Sequence, residues 1–179
     1  NIKMKKDVVF GGSGFLGSHV ADHLTNAGYE TVIFDIKESE WLRNDQRMVI
    51  GDILNQEEVS KVIKGAEAVY NFAAIADLNQ AIEKPLETAN INILGNLYIL
   101  EACRTHKINR FIYASSVYVY SREGGFYRIS KQASEAYIKE YHHVYNCDYT
   151  ILQYGSLYGP RADHTNGLRK IVQAALKEG

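Results

Sequence analysis

Three observations predict an α/β fold built on a doubly wound parallel sheet with helices on both faces. Short β-rich runs alternate with amphipathic helical stretches along the 179-residue chain, a pattern that implies right-handed crossovers and parallel strands. The run Val8-Val9-Phe10 leads into the glycine-rich turn Gly11-Gly12-Ser13-Gly14-Phe15-Leu16-Gly17, and the turn opens directly onto a helix. A second β-rich run, Thr31-Val32-Ile33-Phe34, ends at the carboxylate Asp35. With the glycine turn after the first strand, the strand order 3-2-1-4-5-6 follows, and a ligand is expected at the carboxyl ends of the strands near the point where the order reverses.

The elements follow in order. Phe15 to Asn26 reads as the first helix, with Leu16, Val20 and Leu24 on one face and Gly28 just past its end. A strand from about Glu30 to Asp35 is followed by a polar connection holding Trp41, then by the short strand Met48-Val49-Ile50 ending at Gly51-Asp52. Asn55 followed by Glu58 has capping-box spacing, which predicts a helix from Gln56 to Ile63. Ala68 to Ala74 is a fourth strand with a small-residue exit. Pro85 suits the first turn of a long helix to about His106, apolar on two sides through Ile93, Leu97 and Leu100 and through Leu94 and Tyr98. Arg110 to Ala114 is strand five, Tyr127 to Tyr145 a helix, and Tyr149 to Leu152 strand six. Leu168, Ile171, Val172, Ala175 and Leu176 stripe a last helical segment. The polar start, Asn1 to Lys6, reads as disordered.

Each glycine of the G-x-x-G-x-x-G turn has a physical task. Gly11 supplies the backbone angle of a tight reversal. Gly14 lets the N–H groups at the helix start approach a pyrophosphate. Gly17 lets the helix pack close to its strand. Asp35 lies about 20 residues on, placed to accept hydrogen bonds from adenosine ribose hydroxyls. A structural turn with an incidental Asp is the alternative. Strand before, helix after and acid at the right distance favour a dinucleotide site of the Rossmann type, formed by Gly11, Ser13, Gly14, Phe15, Leu16, Gly17, Asp35 and Ile36. A carboxylate at Asp35 repels a 2′-phosphate, and Ile36, Lys37 and Glu38 bring no Arg beside it, so NAD is expected rather than NADP.

Bulk properties exclude several classes. A formal net charge of −1 gives no electrostatic footprint for nucleic acid or an anionic membrane surface. No apolar run has the length of a membrane span and no secretory signal is read at the start, so a cytoplasmic location is expected. Cys103 and Cys147 are far apart and read as small apolar residues in a reducing compartment. His19 and His23 have a spacing that binds metals, but no third ligand lies nearby and a helix face is the simpler reading. His142 and His143 are adjacent and point to different faces. No metal site is predicted.

A second constellation lies further along. Strand five runs into Ser115-Ser116, and the next helix opens with Tyr127-Arg128-Ile129-Ser130-Lys131. Tyr127 and Lys131 share a helix face. A nearby ammonium favours the phenolate, so a lowered Tyr127 pKa is expected, and Ser116 can hydrogen-bond the same substrate oxygen. Beside a nicotinamide this makes a proton-transfer device; a surface Tyr–Lys pair is the alternative.

With these residues in view, the chain resembles the extended short-chain dehydrogenase/reductase family, in particular its NAD-dependent sugar-nucleotide epimerases and dehydratases. The resemblance runs from Gly11 to about Pro160 through the glycine turn, Asp35, Gly51-Asp52-Ile53, Asn71-Phe72-Ala73-Ala74, Asn92-Ile93-Leu94-Gly95, Ser115-Ser116-Val117-Tyr118, Tyr127-x-x-x-Lys131 and Tyr158-Gly159-Pro160. It implies that Asp52 and Ile53 contact the adenine. Phe72, Ala73 and Ala74 line the path to the nicotinamide ribose, and Lys131 bonds that ribose. Ser116, Tyr127 and Lys131 are the catalytic set, and Tyr154 borders the nicotinamide. It also implies a homodimer through two helices per subunit, a role that suits the two-sided helix and the stripe Tyr137, Tyr141, Tyr145; ordinary packing suits those tyrosines equally.

The departures are informative. Only ten residues separate Ser116 from Tyr127, where the family has a longer, proline-bearing loop; they still reach up to ~35 Å. Ser156 stands where the family commonly has a substrate-touching Asn. The family continues into a smaller substrate-binding domain, so residues 1–179 are expected to be the NAD(P)-binding domain of a longer protein, with 164–179 starting the connection. Ser116 is followed by Val117-Tyr118 rather than the Asp-Glu of dehydratases. The expected function is epimerisation of a nucleotide sugar through a transient keto intermediate, with net dehydrogenation or NAD sensing as rivals.

Overall fold

The computed structural model describes residues 4–178. Asn1 to Lys3, half of the polar start, lie outside the described residues; Lys6 already belongs to the first strand. Six parallel strands form one sheet, β1 (Lys6–Phe10), β2 (Glu30–Asp35), β3 (Arg47–Ile50), β4 (Ala68–Asn71), β5 (Arg110–Ser116) and β6 (Tyr149–Tyr154), in the order β3-β2-β1-β4-β5-β6. The expected strand order is observed, and the chain reverses direction across the sheet between β1 and β4.

Alternation along the strands separates two cores. Val8, Phe10, Val32 and Phe34 face α2 (Gln56–Ile63) and α5 (Asn96–His106), packing with Val59, Val62, Ile63, Ile99 and Leu100. Val9 and Ile33 point the other way and pack with Ala21, Val20 and Leu24 of α1 (Phe15–Asn26). A strand covered on both faces reads as a continuous apolar run, which is why Val8-Val9-Phe10 shows no polar alternation. Gly28 has φ +88° just beyond α1, the left-handed residue that ends a helix. At α2, Asn55 accepts from the Glu58 N–H at 3.2 Å, but the Glu58 carboxylate turns to the Asp52 N–H at 3.3 Å, so the box closes on the strand exit instead of on Asn55.

The long helix expected from Pro85 to His106 is divided. A short α3 (Leu78–Glu83) precedes α4 (Pro85–Ala89), residues Asn90–Gly95 are π-helical, and α5 follows. Gly95 lies against Ile53, where a Cβ would stand 3.0 Å from Ile53 Cγ2. The helix α6 (Gly125–Tyr145) starts two residues before Tyr127, after a 3₁₀ turn over Val117–Tyr120. Tyr141 of α6 donates to Glu101 of α5 at 2.5 Å and its ring meets Tyr145 at 5.4 Å, while Tyr137 remains exposed. The last helix, α7 (Gly167–Glu178), is largely exposed along its apolar stripe.

One strand residue opposes the fold. Asp7 is 1% exposed and its carboxylate accepts the Ala68 N–H at 3.2 Å. Burial pushes its pKa up to about 6, against that hydrogen bond. The folded chain therefore holds this proton where the unfolded chain has lost it, and stability falls as pH rises from ~4 to ~6. Asp7→Asn is expected to gain ~1–2 kcal/mol at pH 7 and to lose the advantage near pH 4, read from urea midpoints at both.

Candidate functional site

The site is laid out along the carboxyl edge of the sheet. Gly11 takes φ +71°, and a Cβ on it would stand 2.5 Å from the Ala73 nitrogen at the exit of β4. At Gly17 a Cβ would stand 2.2 Å from the Gly11 carbonyl oxygen, so the first turn of α1 lies directly on the loop. Gly14 differs: its nearest neighbour, the Gly11 oxygen, would be 3.4 Å from a Cβ. Gly14 is the helix N-cap, is exposed, and supplies no side-chain cap. The N–H groups of Phe15, Leu16 and Gly17 thus begin the helix as donors without an intrahelical partner.

Asp35 ends β2 beside this turn. Its Oδ2 accepts the Ser13 N–H at 3.0 Å and its Oδ1 the Lys37 N–H at 3.3 Å, while Ser13 Oγ donates to the Lys37 carbonyl at 2.7 Å. Each carboxylate oxygen keeps a lone pair for a further donor, and Ile36 beside it is exposed. Asp52 is exposed past β3, its Oδ1 accepting the Leu54 N–H at 2.9 Å. Ile53 is 8% exposed and packs into the core, so its side chain supports this edge from beneath.

Beyond the reversal point, Phe72, Ala73 and Ala74 leave β4 half-buried. Asn71 Oδ1 accepts the Ala73 N–H at 3.0 Å and its Nδ2 donates to Asn96 at 2.9 Å. The Phe72 ring lies 6.4 Å from that of Tyr154 at the end of β6. Asn92, buried in the π-helical stretch, accepts the Ile75 N–H at 2.8 Å and donates to the Ile75 carbonyl at 3.0 Å and to Ser130 Oγ at 2.9 Å. Ser130 in turn donates to the Tyr127 carbonyl at 2.7 Å. One buried amide therefore fixes the β4 exit against the start of α6, which explains a π-helix at that point: the wider turn delivers Asn92 to both.

Ser116, Tyr127 and Lys131 come together at the end of β5. Lys131 is 4% exposed and donates to the Ala114 carbonyl at 2.8 Å; its Nζ stands 4.8 Å from the Tyr113 ring centre and 5.6 Å from that of Tyr127. Ser116 Oγ accepts the Tyr118 N–H at 3.2 Å, and Tyr118 meets Tyr127 edge to face at 6.3 Å. Gly124, at φ +92°, turns the short loop so that Tyr127 returns to Ser116.

The electrostatics correct the expected lowering of the Tyr127 pKa. Burial raises it above the ordinary tyrosine value, and hydrogen bonding with Ser116 only partly offsets that. Lys131 does not act as the assumed fixed ammonium, because its own burial lowers its pKa to about 7, with the Glu135 carboxylate one turn on opposing the shift. Each group is shifted chiefly by its own desolvation.

Several supporting groups carry no motif of their own. Glu135, buried on α6, accepts from Ser115 Oγ at 2.6 Å and from Gln153 Nε2 at 3.0 Å, joining the residues next to Ser116 and Tyr154. Asn92 stood in the sequence only as part of the Asn92-Ile93-Leu94-Gly95 run and Ser130 only as a residue between Tyr127 and Lys131; their bonding roles appear in the structure alone.

Comparison with known proteins shows the family and the fold. The pattern of the family described as NAD dependent epimerase/dehydratase matches residues 8–178. A putative UDP-glucose 4-epimerase of Methanocaldococcus jannaschii is 32% identical over 174 residues, covering 87% of this chain and 57% of that protein. A UDP-N-acetylglucosamine 4-epimerase from Methanobrevibacter ruminantium, solved with UDP-N-acetylmuramic acid, superposes with TM-score 0.89 at 28% identity, over 99% of this chain and 64% of its own. The Thermus thermophilus UDP-glucose 4-epimerase complex with NAD gives TM-score 0.80 at 29% identity, over 88% and 57%. The chain thus spans about three fifths of the length of these proteins. On a match that takes in nearly its whole length, the chain belongs to the NAD dependent epimerase/dehydratase family.

Proposed function

We propose that this chain forms the cofactor-binding half of an NAD-dependent epimerase that inverts a hydroxyl-bearing carbon of a nucleotide sugar. The observation that carries the reading is the meeting of Ser116, Tyr127 and Lys131 on the same sheet edge as the glycine turn and Asp35. NAD-bound 4-epimerases among the structural neighbours support it.

The residues present fit NAD. The uncapped start of α1 and the room above Gly14 suit the pyrophosphate. Asp35 and Ile36 suit the adenosine ribose, with Asp52 and the Ile53 backbone toward the adenine. Phe72, Ala73, Ala74 and Tyr154 would border the nicotinamide end, where Lys131 would bond the second ribose. Bound at this edge, NAD would supply reversible acceptance of a hydride from the sugar carbon. Tyr127 removes the C4 hydroxyl proton, Ser116 hydrogen-bonds the same oxygen, and Tyr127 gives the proton back after the keto sugar has turned over. Lys131, with a pKa near neutrality, exchanges charge readily and stabilises the phenolate when protonated.

The exposed Tyr137, Val144 and Tyr145 on α6 and Leu94 beside α5 support a homodimer through these helices. Two free cysteines suit a reducing, cytoplasmic setting, and no described helix is long and apolar enough to cross a membrane.

The test is incubation of the intact gene product with NAD and a panel of UDP-, GDP-, CDP- and dTDP-sugars, following sugar stereochemistry and reduced-cofactor absorbance together. Inversion of one sugar without lasting absorbance is the expected result. Lasting absorbance would make the protein a dehydrogenase. NAD binding with silence across the panel would favour a sensor.

A further inference from the structure

The segment after β6 is fastened to the cofactor side of the sheet by contacts the proposed chemistry does not use. Arg161 Nη2 donates to Asp22 Oδ2 of α1 at 2.7 Å, with the two side chains only 18% and 20% exposed. The guanidinium carbon lies 4.9 Å from the centre of the Trp41 ring, in the β2–β3 connection. His19 Nε2, one turn before Asp22 on α1, is 2.9 Å from the Pro160 carbonyl. Asp22 is held in place by Gln46, whose Nε2 donates to its other oxygen at 2.9 Å and to Thr25 Oγ1 at 3.1 Å.

The backbone bends to make this joint. Arg161 has φ +70°, a left-handed conformation that a residue with a Cβ holds when its surroundings over-determine it. Gly159 crosses above Phe15, where a Cβ would stand 3.9 Å from the ring Cζ. Residues 155–161 therefore leave the catalytic end at Tyr154, pass over the first turn of α1, and are anchored between α1 and the loop that follows Asp35. A planar guanidinium that pairs with a carboxylate and stacks on an indole loses both contacts at once when it moves.

We propose that Arg161 is a positioning residue: clasped by Asp22 and Trp41, it straps residues 155–161 across the mouth of the glycine turn and governs how fast the dinucleotide leaves. The inference rests on the reading above only in taking a dinucleotide as the ligand of that turn. It assigns to Asp22 and Trp41 a task that touches neither substrate nor reacting atoms. Such a strap suits a cofactor that returns to its starting state at each turnover and has no need to leave.

The experiment measures release of NADH from the intact gene product, by displacement with excess NAD and loss of cofactor fluorescence in stopped flow. Arg161→Ala and Asp22→Asn are each expected to speed release by about tenfold or more. Arg161→Lys, which keeps the charge and loses the stack, should fall between them and wild type. kcat at saturating NAD should stay within about twofold, since the proton-transfer groups are untouched. Trp41→Leu, on the exposed side of the joint, is the second variant if Arg161→Ala does not fold, and it too should speed release. Release from folded Arg161→Ala at the wild-type rate overturns the clasp, as does a fall in kcat with release unchanged. Wild-type protein that holds no NADH would remove the dinucleotide reading itself, a different result from a bound cofactor indifferent to Arg161.

Discussion

Tyr127→Phe is expected to cut turnover by about 10²–10⁴-fold while the fold and NAD affinity stay close to wild type. The substitution removes one oxygen and little packing. The ring keeps its edge-to-face contact with Tyr118 at 6.3 Å, and Lys131 keeps its bond to the Ala114 carbonyl at 2.8 Å. The group lost is the one proposed as the base. Because burial raises the Tyr127 pKa, the deprotonated fraction grows with pH, so wild-type turnover should climb from neutral toward alkaline pH and the variant should lack that climb. Steady-state kcat across pH, with a parallel NAD titration, checks both. Full activity in Tyr127→Phe would falsify the assigned mechanism.

Much of the fold was legible because the central strands β1 and β2 follow one simple rule through most of their length. Val8, Val9 and Phe10, and Val32, Ile33 and Phe34, are buried on alternating faces, and an unbroken apolar run followed by a glycine turn has few other uses. The break in the helix from Pro85 to His106 was not legible, because its cause is tertiary. Periodicity continues through Asn90–Gly95, and the π-helical widening follows from bonds that Asn92 makes to Ile75 and Ser130, 17 and 38 residues away. The missed α3 did leave a local sign: Asp77 caps it, accepting the Gln80 N–H at 2.8 Å.

The candidate site divides in the same way. Residue identities and spacings placed Ser116, Tyr127 and Lys131 on neighbouring elements, and the structure brings them together. Their electrostatics could not be read from spacing. Two residues four apart on a helix look like an ion pair, yet both are buried: Tyr127's own desolvation raises its pKa, and Lys131's lowers that of the amine. Arg161 was passed over for a related reason: its carboxylate partner lies 139 positions earlier, and nothing local marks the pair.

The three glycines of the turn, alike in sequence, should separate by substitution. Gly17→Ala is expected to destabilise the protein by ~3 kcal/mol or to prevent folding, because its Cβ would stand 2.2 Å from the Gly11 oxygen and 2.9 Å from Gly12 Cα, both backbone. A shift of that size is a large share of the ~5–15 kcal/mol that holds a domain of this kind. Gly14→Ala meets nothing closer than 3.4 Å, and its extended φ of −81° suits any residue, so stability should change by less than ~1 kcal/mol. Its methyl would instead fill the approach to the first-turn N–H groups, and NAD affinity should fall about tenfold or more. Denaturant midpoints and NAD titration of the two variants decide the matter. Loss of binding in a fully stable Gly14→Ala would locate the phosphate at the helix start. Wild-type affinity there would leave the turn as a packing device, and the anion's donors would have to be sought among side chains along the same edge.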